Sequence, residues 1–232
     1  GLSDVYASYL APGQPLGEFN NVPTFTGSYS ADGQPLLKPG TGDTPVVDYK
    51  NSDAAAAVNA GSPLMQGNPQ PFLNASYINT FRYKGFDLYF QLRGTFGNTI
   101  LNAIRSNLLI PGSILETNML KGVTDLPKNY GVNVLSSNWL ESGSFVRFDN
   151  WQIGYNIPLP ASKYISNARV YVGGNNLFVI TKYKGVDPEL QVKADLQAGS
   201  QAPNTIGVDG GGYGNTVYPK TRSFQLGLNL TF

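Results

Sequence analysis

The last stretch of the chain, 219–232, alternates strictly. Phe224, Leu226, Leu228, Leu230 and Phe232 fall on one face, and Gln225, Gly227, Asn229 and Thr231 on the other. A period of two predicts a β-strand with one apolar and one small, polar face. The same period recurs upstream. Strands are expected near 2–10, 72–82, 85–96, 144–157, 168–181 and 219–232. The second and third form a hairpin across the tight link Arg82-Tyr-Lys-Gly85, with Phe86, Leu88, Phe90 and Leu92 opposed to Asp87, Tyr89, Gln91 and Arg93. Two strands break their own rhythm. From Phe145 to Asp149 the parity is opposite to that of Trp151, Ile153, Tyr155 and Ile157, which predicts a bulge near Asn150. Gly173-Gly-Asn-Asn176 interrupts the fifth strand. Asn98 to Ile110 has helical spacing (Ile100, Leu101, Ile104, Leu108) and ends at Pro111-Gly112, which predicts a short amphipathic helix.

The connections sort by length. Long irregular stretches at 17–71, 97–143 and 182–218 alternate with short links at 82–85 and 158–167. Transmembrane barrels have this habit: short turns at one rim, long loops at the other. Strands of about ten residues are long enough to cross a bilayer at a tilt. Apolar toward lipid and polar toward a wet lumen is the matching facial pattern. On that reading Asp87, Gln91, Arg93, Gln152, Asn156, Gln225 and Asn229 line the lumen. An open six-stranded sheet would leave two unpaired edges in lipid, where each orphan amide costs several kcal/mol. The segment is therefore expected to be part of a larger barrel, or to pair with another chain.

Composition supports this picture and removes others. Charged residues make up only 13% and aromatic residues 12%, with 27 Gly. A net charge of +1 creates no field for nucleic acid, so none is expected as a partner. Cysteine and histidine are absent, which removes thiolate chemistry and the commonest general base and metal ligand. No apolar run has the length of a transmembrane helix, a fact that leaves β-barrels open. Gly1-Leu-Ser-Asp has no signal-peptide features. Asp43 to Asp53 lacks the glycine and the ligand spacing of a calcium loop and reads as a solvated loop. Gly210 to Gly214 lacks the strand-to-helix setting of a phosphate cradle. Asp187-Pro-Glu189 reads as a loop anchor rather than a glycosidase pair. Tyr29, Tyr49, Tyr130, Tyr183 and Tyr213 could stack on sugar or peptide, or pack within the loops. Catalytic, metal and cofactor sites are not expected.

Three ordered segments carry a family likeness. They are Ser144-Phe-Val-Arg-Phe-Asp-Asn-Trp-Gln-Ile-Gly-Tyr-Asn-Ile-Pro158, Asn176-Leu-Phe-Val-Ile-Thr-Lys-Tyr-Lys-Gly-Val-Asp-Pro-Glu189 and Tyr218-Pro-Lys-Thr-Arg-Ser-Phe-Gln-Leu-Gly-Leu-Asn-Leu-Thr-Phe232. Together they resemble the C-terminal barrel segment of SusC/RagA-family TonB-dependent outer-membrane transporters. Pro71 to Gly97 is a looser match. The resemblance implies an all-β, antiparallel transmembrane segment of a 22-stranded barrel, with the plug domain absent from this chain. It implies import of a bulky nutrient, an oligosaccharide or a peptide. The implied partners are the remaining plug and barrel part of the transporter, a SusD-like surface lipoprotein, the TonB complex acting through the plug, the barrel-assembly machinery and the lipid bilayer. The implied location is the cell outer membrane, with long loops extracellular and the C-terminus periplasmic. Gln225, Gly227, Leu230 and Phe232 fit the terminal signal that assembly machinery reads. The rival expectations are a soluble β-sandwich binding glycan through loop tyrosines, and a β-rich hydrolase for which the acid/base inventory is thin.

Overall fold

The computed structural model describes residues 13, 15, 17–19, 22–31, 33, 35–38, 46–47, 67–111, 115, 118–127, 135–160, 164–190, 207–209 and 219–232. The strand expected near 2–10, most of the 43–53 loop, the 210–214 glycine run, and Tyr49, Tyr130 and Tyr213 lie outside the described residues.

The chain divides into two compact units. One is a single antiparallel sheet built from residues 73–96, 144–181 and 219–232. Its strands are β4 (Leu73–Tyr83), β5 (Phe86–Phe96), β8 (Phe145–Ile157), β9 (Asn167–Asn175), β10 (Val179–Thr181) and β12 (Ser223–Thr231). The spatial order is β12-β9-β8-β5-β4, with β10 beside the first residues of β8. The β4–β5 hairpin turns on Lys84 and Gly85, both at positive φ (45° and 86°). That is the primed geometry whose twist matches the flanking strands. Gly85 adopts it without strain, and the Lys84 ammonium lies 5.2 Å from the Tyr83 ring.

Strand β8 contains the bulge that its sequence parity predicts. Gln91 opposes Asn150 while the next residue, Leu92, opposes Phe148, so Asp149 is the extra residue. The extra residue places Phe148 and Trp151, three apart, on the same face. The fifth strand is broken where one continuous element over 168–181 was expected. Asn176 adopts φ 52°, and pairing resumes only at Val179. The break answers the bulge: the Asn176 amide donates to the Asp149 carbonyl at 2.7 Å and the Leu177 amide to the Phe148 carbonyl at 3.0 Å. The backbone groups freed by one irregularity are thus satisfied by the other.

The second unit contains residues 1–72, 97–143 and 182–218. Its described residues form more regular structure than its Gly- and Pro-rich sequence suggests. Strands β1 (Thr24–Tyr29), β2 (Pro35–Lys38) and β3 (Val46–Val47) form one small antiparallel sheet. Gly27, at φ 85°, sits where the β1–β2 register shifts. Strands β6 (Thr99–Asn102), β7 (Leu140–Ser142) and β11 (Val208–Asp209) form another, with β11 parallel to β6. The helix expected over Asn98–Ile110 is therefore mostly not a helix. Thr99–Asn102 pairs on both edges as strand, and helix α1 is confined to Ala103–Asn107. Asn102 marks the switch, its side-chain oxygen accepting from the Arg105 amide at 2.9 Å as an N-cap. Strand pairing with two distant segments outweighs a modest helical propensity. Phe19, Val22, Leu101, Leu109, Val123, Leu135 and Trp139 form a common core, with Trp139 only 1% exposed. The Arg105 guanidinium lies 5.4 Å from the Trp139 ring centroid and bonds Glu141 at 3.2 Å.

Candidate functional site

The registers sort the six-stranded sheet into two chemically opposite faces. On one face lie Tyr77, Phe81, Leu88, Phe90, Phe148, Trp151, Ile153, Val170, Val172, Leu226 and Leu228. An aromatic row crosses it. Phe81 and Phe90 are 6.3 Å apart, Phe90 and Phe148 5.8 Å, Phe148 and Phe178 5.3 Å, all stacked. This face is exposed: Leu226 at 80% and Phe224 at 64%. Asn79 is the odd polar residue on it, and its amide donates to the Tyr77 hydroxyl at 2.7 Å. No second sheet covers this face within the unit among the described residues. A β-sandwich would pack a second sheet on this apolar face.

Asp87, Gln91, Arg93, Gln152, Asn156, Gln225 and Asn229 all stand on the opposite face. Asp87 takes a two-pronged ion pair from Arg169, at 2.5 and 3.0 Å, reaching across β8. The crossing passes over Gly154, where a β-carbon would lie 2.6 Å from the Arg169 guanidinium carbon. Arg93 pairs with Asp149, the bulged residue, at 2.6 Å. Gln91 accepts from the Asn150 side-chain amide at 3.1 Å, and the Asn156 side-chain amide makes a long contact, 3.4 Å, with the Gly85 carbonyl. Gln152 lies between Tyr89 and Gly173, Gln225 opposite Gly173, and Asn229 opposite Arg169. Of the terminal motif, Gln225 and Gly227 are on this polar face. Leu230 is on the apolar face, and Phe232 at the chain end is 84% exposed.

Arg169, Asp149 and Arg147 add to the polar face, Asn176 bonds Arg147 from the break after β9, and none of the four was singled out as a candidate from the sequence. Arg169 was legible, since Arg169 and Tyr171 alternate with Val170 and Val172. Arg147 was hidden by the bulge, which alone brings it opposite Arg93. Arg147 is buried, lies 5.4 Å from the Phe145 ring and donates to the Asn176 side-chain oxygen at 2.6 Å. Asn176 also donates to the Lys220 carbonyl at 2.6 Å, tying the approach of β12 to the break between β9 and β10.

The loop unit has a polar cluster of its own. Tyr183 and Asp209 are both buried, and the tyrosine hydroxyl donates to the aspartate. Burial pushes the Asp209 carboxyl up. Asp187 and Glu141 push it further, while the Tyr183 hydrogen bond pulls it down. Burial likewise drives the Tyr183 hydroxyl far above the usual phenol range, helped by its bond to Asp209 and by the nearby carboxylates. Asp187 accepts from the Glu189 amide at 2.9 Å, which makes Asp187-Pro-Glu189 a local turn anchor. Tyr29 packs against the unit's core and lies 5.4 Å from the Phe25 ring. The two described candidate tyrosines, Tyr29 and Tyr183, are thus engaged in packing within their own unit. No group of three or more Asp or Glu side chains is arranged to hold a metal ion among the described residues.

A single antiparallel sheet with five strands of 9–13 residues, a greasy exposed face and an ion-paired polar face defines a segment of a transmembrane β-barrel wall. Comparison with known proteins makes this specific. The chain is 30% identical over 196 residues to TonB-dependent receptor P3 of Formosa agariphila, and 24% identical over 193 residues to TonB-dependent receptor SusC of Bacteroides thetaiotaomicron. Both matches cover 79% of this chain, and 19% and 17% of the relatives. Its fold matches a solved structure of the RagAB peptide transporter with a TM-score of 0.67 at 20% identity, over 98% of this chain and 24% of that one. No family model matches. The chain is thus similar to TonB-dependent receptors over most of its length, and it spans about a fifth of the length of the curated relatives it matches.

Proposed function

We propose that this segment forms part of the wall of an outer-membrane importer for a bulky nutrient, an oligosaccharide or a peptide. The observation that carries the reading is the inverted sheet. Large apolar side chains are exposed on one face, and charges are paired on the other. Such an arrangement is stable when the first face meets hydrocarbon and the second lines an aqueous lumen. Asp87, Gln91, Arg93, Gln152, Asn156, Gln225 and Asn229 then line that lumen, with Arg169 and Asp149 cancelling two of its charges. The 97–143 and 182–218 loops, with 17–71, lie on the extracellular side, and the Lys84-Gly85 turn and Phe232 at the periplasmic rim. A plug domain, the TonB complex and a SusD-like lipoprotein over the extracellular mouth are the partners that go with this role. Gln225, Gly227, Leu230 and Phe232 serve as the terminal signal for barrel assembly. The segment's role is conduction and support rather than catalysis.

The test is uptake by whole cells. Deleting the parent gene should abolish TonB-dependent accumulation of one class of labelled oligomer, glycan or peptide, and the parent chain should partition with the outer membrane. Unchanged uptake of both classes, or recovery of the parent chain as a detergent-free monomer, overturns the proposal.

A further inference from the structure

The alternation that makes the closing strand legible does not determine its alignment. A one-residue slip of β12 against β9 would turn Phe224, Leu226, Leu228 and Leu230 onto the polar face, and is excluded. A two-residue slip is different. It leaves every apolar residue of β12 opposite the apolar face of β9, and every polar residue opposite the polar face. Asn176 grips the approach to β12 through main-chain carbonyls, which any register would present. Something outside the alternation must select the observed pairing.

On the polar face the Asn175 side chain donates to the Ser223 hydroxyl at 3.1 Å, a bond that Thr221 or Gln225 could accept in its place after a two-residue slip, so it selects weakly. A steric feature between the same two strands selects more sharply. Gly227 opposes Tyr171, and the phenol ring lies over the glycine so closely that a β-carbon at 227 would overlap it. The ring is backed by Arg169, whose guanidinium lies 5.3 Å from its centroid while its far end is bonded to Asp87 on β5. Arg169 itself lies over Gly154, so the ring is packed from behind by a side chain tied across β8. Two-residue slips would place Asn229 or Gln225 beneath Tyr171. Neither leaves space for the ring in that position.

We propose that Tyr171 and Gly227 are a register key, positioning residues that select the pairing of the closing strand from the alternatives the alternation permits. Register sets the shear of a barrel, and shear together with strand number sets its width. The pair therefore acts on lumen calibre without touching cargo. The inference rests on the barrel fold and not on the nature of the cargo, so loss of uptake alone neither supports nor refutes it.

The segment contains no cysteine, so introduced pairs report register cleanly. In the full transporter, Val170→Cys with Leu228→Cys reads the observed register. Val170→Cys with Leu230→Cys reads the two-residue slip. In the otherwise unaltered chain the first pair should form a disulfide and the second should not. Moving the glycine by two positions, with Gly227→Asn and Asn229→Gly, keeps composition constant. It should shift the cross-linking ratio toward 170–230 by about tenfold or more, the scale of an overpacking penalty. Adding Tyr171→Ala should return the cross-link to 170–228. If the exchanged chain does not assemble, Tyr171→Ala should restore the heat-modifiable band of the folded barrel. Retention of the 170–228 cross-link by the exchanged chain overturns the proposal. So does an assembly defect that Tyr171→Ala leaves in place.

Discussion

The two units of this chain solve the burial problem in opposite ways. In the loop unit Trp139 and Phe19 are each 1% exposed and share one apolar cluster. In the sheet Leu226 is 80% exposed, and strands are tied beyond the ladder by ion pairs and amides on one face and by an exposed aromatic row on the other. The loop unit is built for water, where burying apolar surface is the main driving force. The sheet is built for a boundary between hydrocarbon and water, where apolar side chains can stay outside and backbone groups must be paired. Long Gly- and Pro-rich connections thus carry a conventional core, and the regular strands carry none. The difference teaches that regularity and core formation are separate properties of a sequence.

The largest effect that would sharpen this contrast is expected in the loop unit. Trp139→Ala should destabilise it by about 3–5 kcal/mol, the usual loss for a large buried aromatic. Limited proteolysis should then cut within 97–143 and 182–218, while the heat-modifiable migration of the barrel persists. Simultaneous loss of both would break the separation of the two units. Next comes the exposed face of the sheet. Leu226→Arg is expected to cost about 2–4 kcal/mol if that face meets hydrocarbon near the bilayer midplane. An exposed leucine in water would tolerate the same change within about 0.5 kcal/mol. Urea titration of the barrel refolded in lipid vesicles separates the two outcomes.

On the polar face, Arg169→Ala leaves Asp87 without its two-pronged partner and is expected to cost about 1.5–3 kcal/mol in the same titration. Arg169→Lys should recover only part of it, because an ammonium cannot make the two-pronged contact. The smallest effect is a change of slope. Asp209 has a raised carboxyl pKa in the folded chain. Its protonated form stabilises the loop unit fully below the unfolded-chain value of about 3.9, and that contribution is lost as pH rises through the folded value. Asp209→Asn keeps an acceptor for Tyr183 and should flatten that decline. Hydrogen exchange of 99–102 and 208–209 against pH would read it, and an unaltered slope would place the titration elsewhere.

Much of the sheet was legible. Alternation from 224 to 232 marks one strand and both of its faces, and Phe86–Arg93 marks another. The parity inversion at Phe145–Asp149 even located the bulge, because an extra residue is the only local way to return both halves of a strand to one face. The polar-face residues were legible for the same reason, yet their partners were not. Arg169 and Asp87 are 82 residues apart in the chain, and nothing local to either position encodes the pairing. The loop unit was mostly illegible. Thr99–Asn102 has helical spacing and forms a strand because β7 and β11 flank it. Trp139 and Phe19 share a core across a separation that no short periodicity can express.

The sequence by itself therefore determined the local part of this protein: which residues extend, which face each side chain takes, and where a strand must bulge. Those properties follow from the two-residue repeat of extended backbone and the chemistry of neighbouring side chains. Tertiary structure alone decided which strand lies beside which, that Asp149 finds Arg93, that Asp209 is buried beside Tyr183, and that Tyr171 covers Gly227. The physical reason is that a period of two repeats along every strand. It assigns a face but not a partner, and choosing among partners takes the close contacts that form only when distant strands are brought side by side.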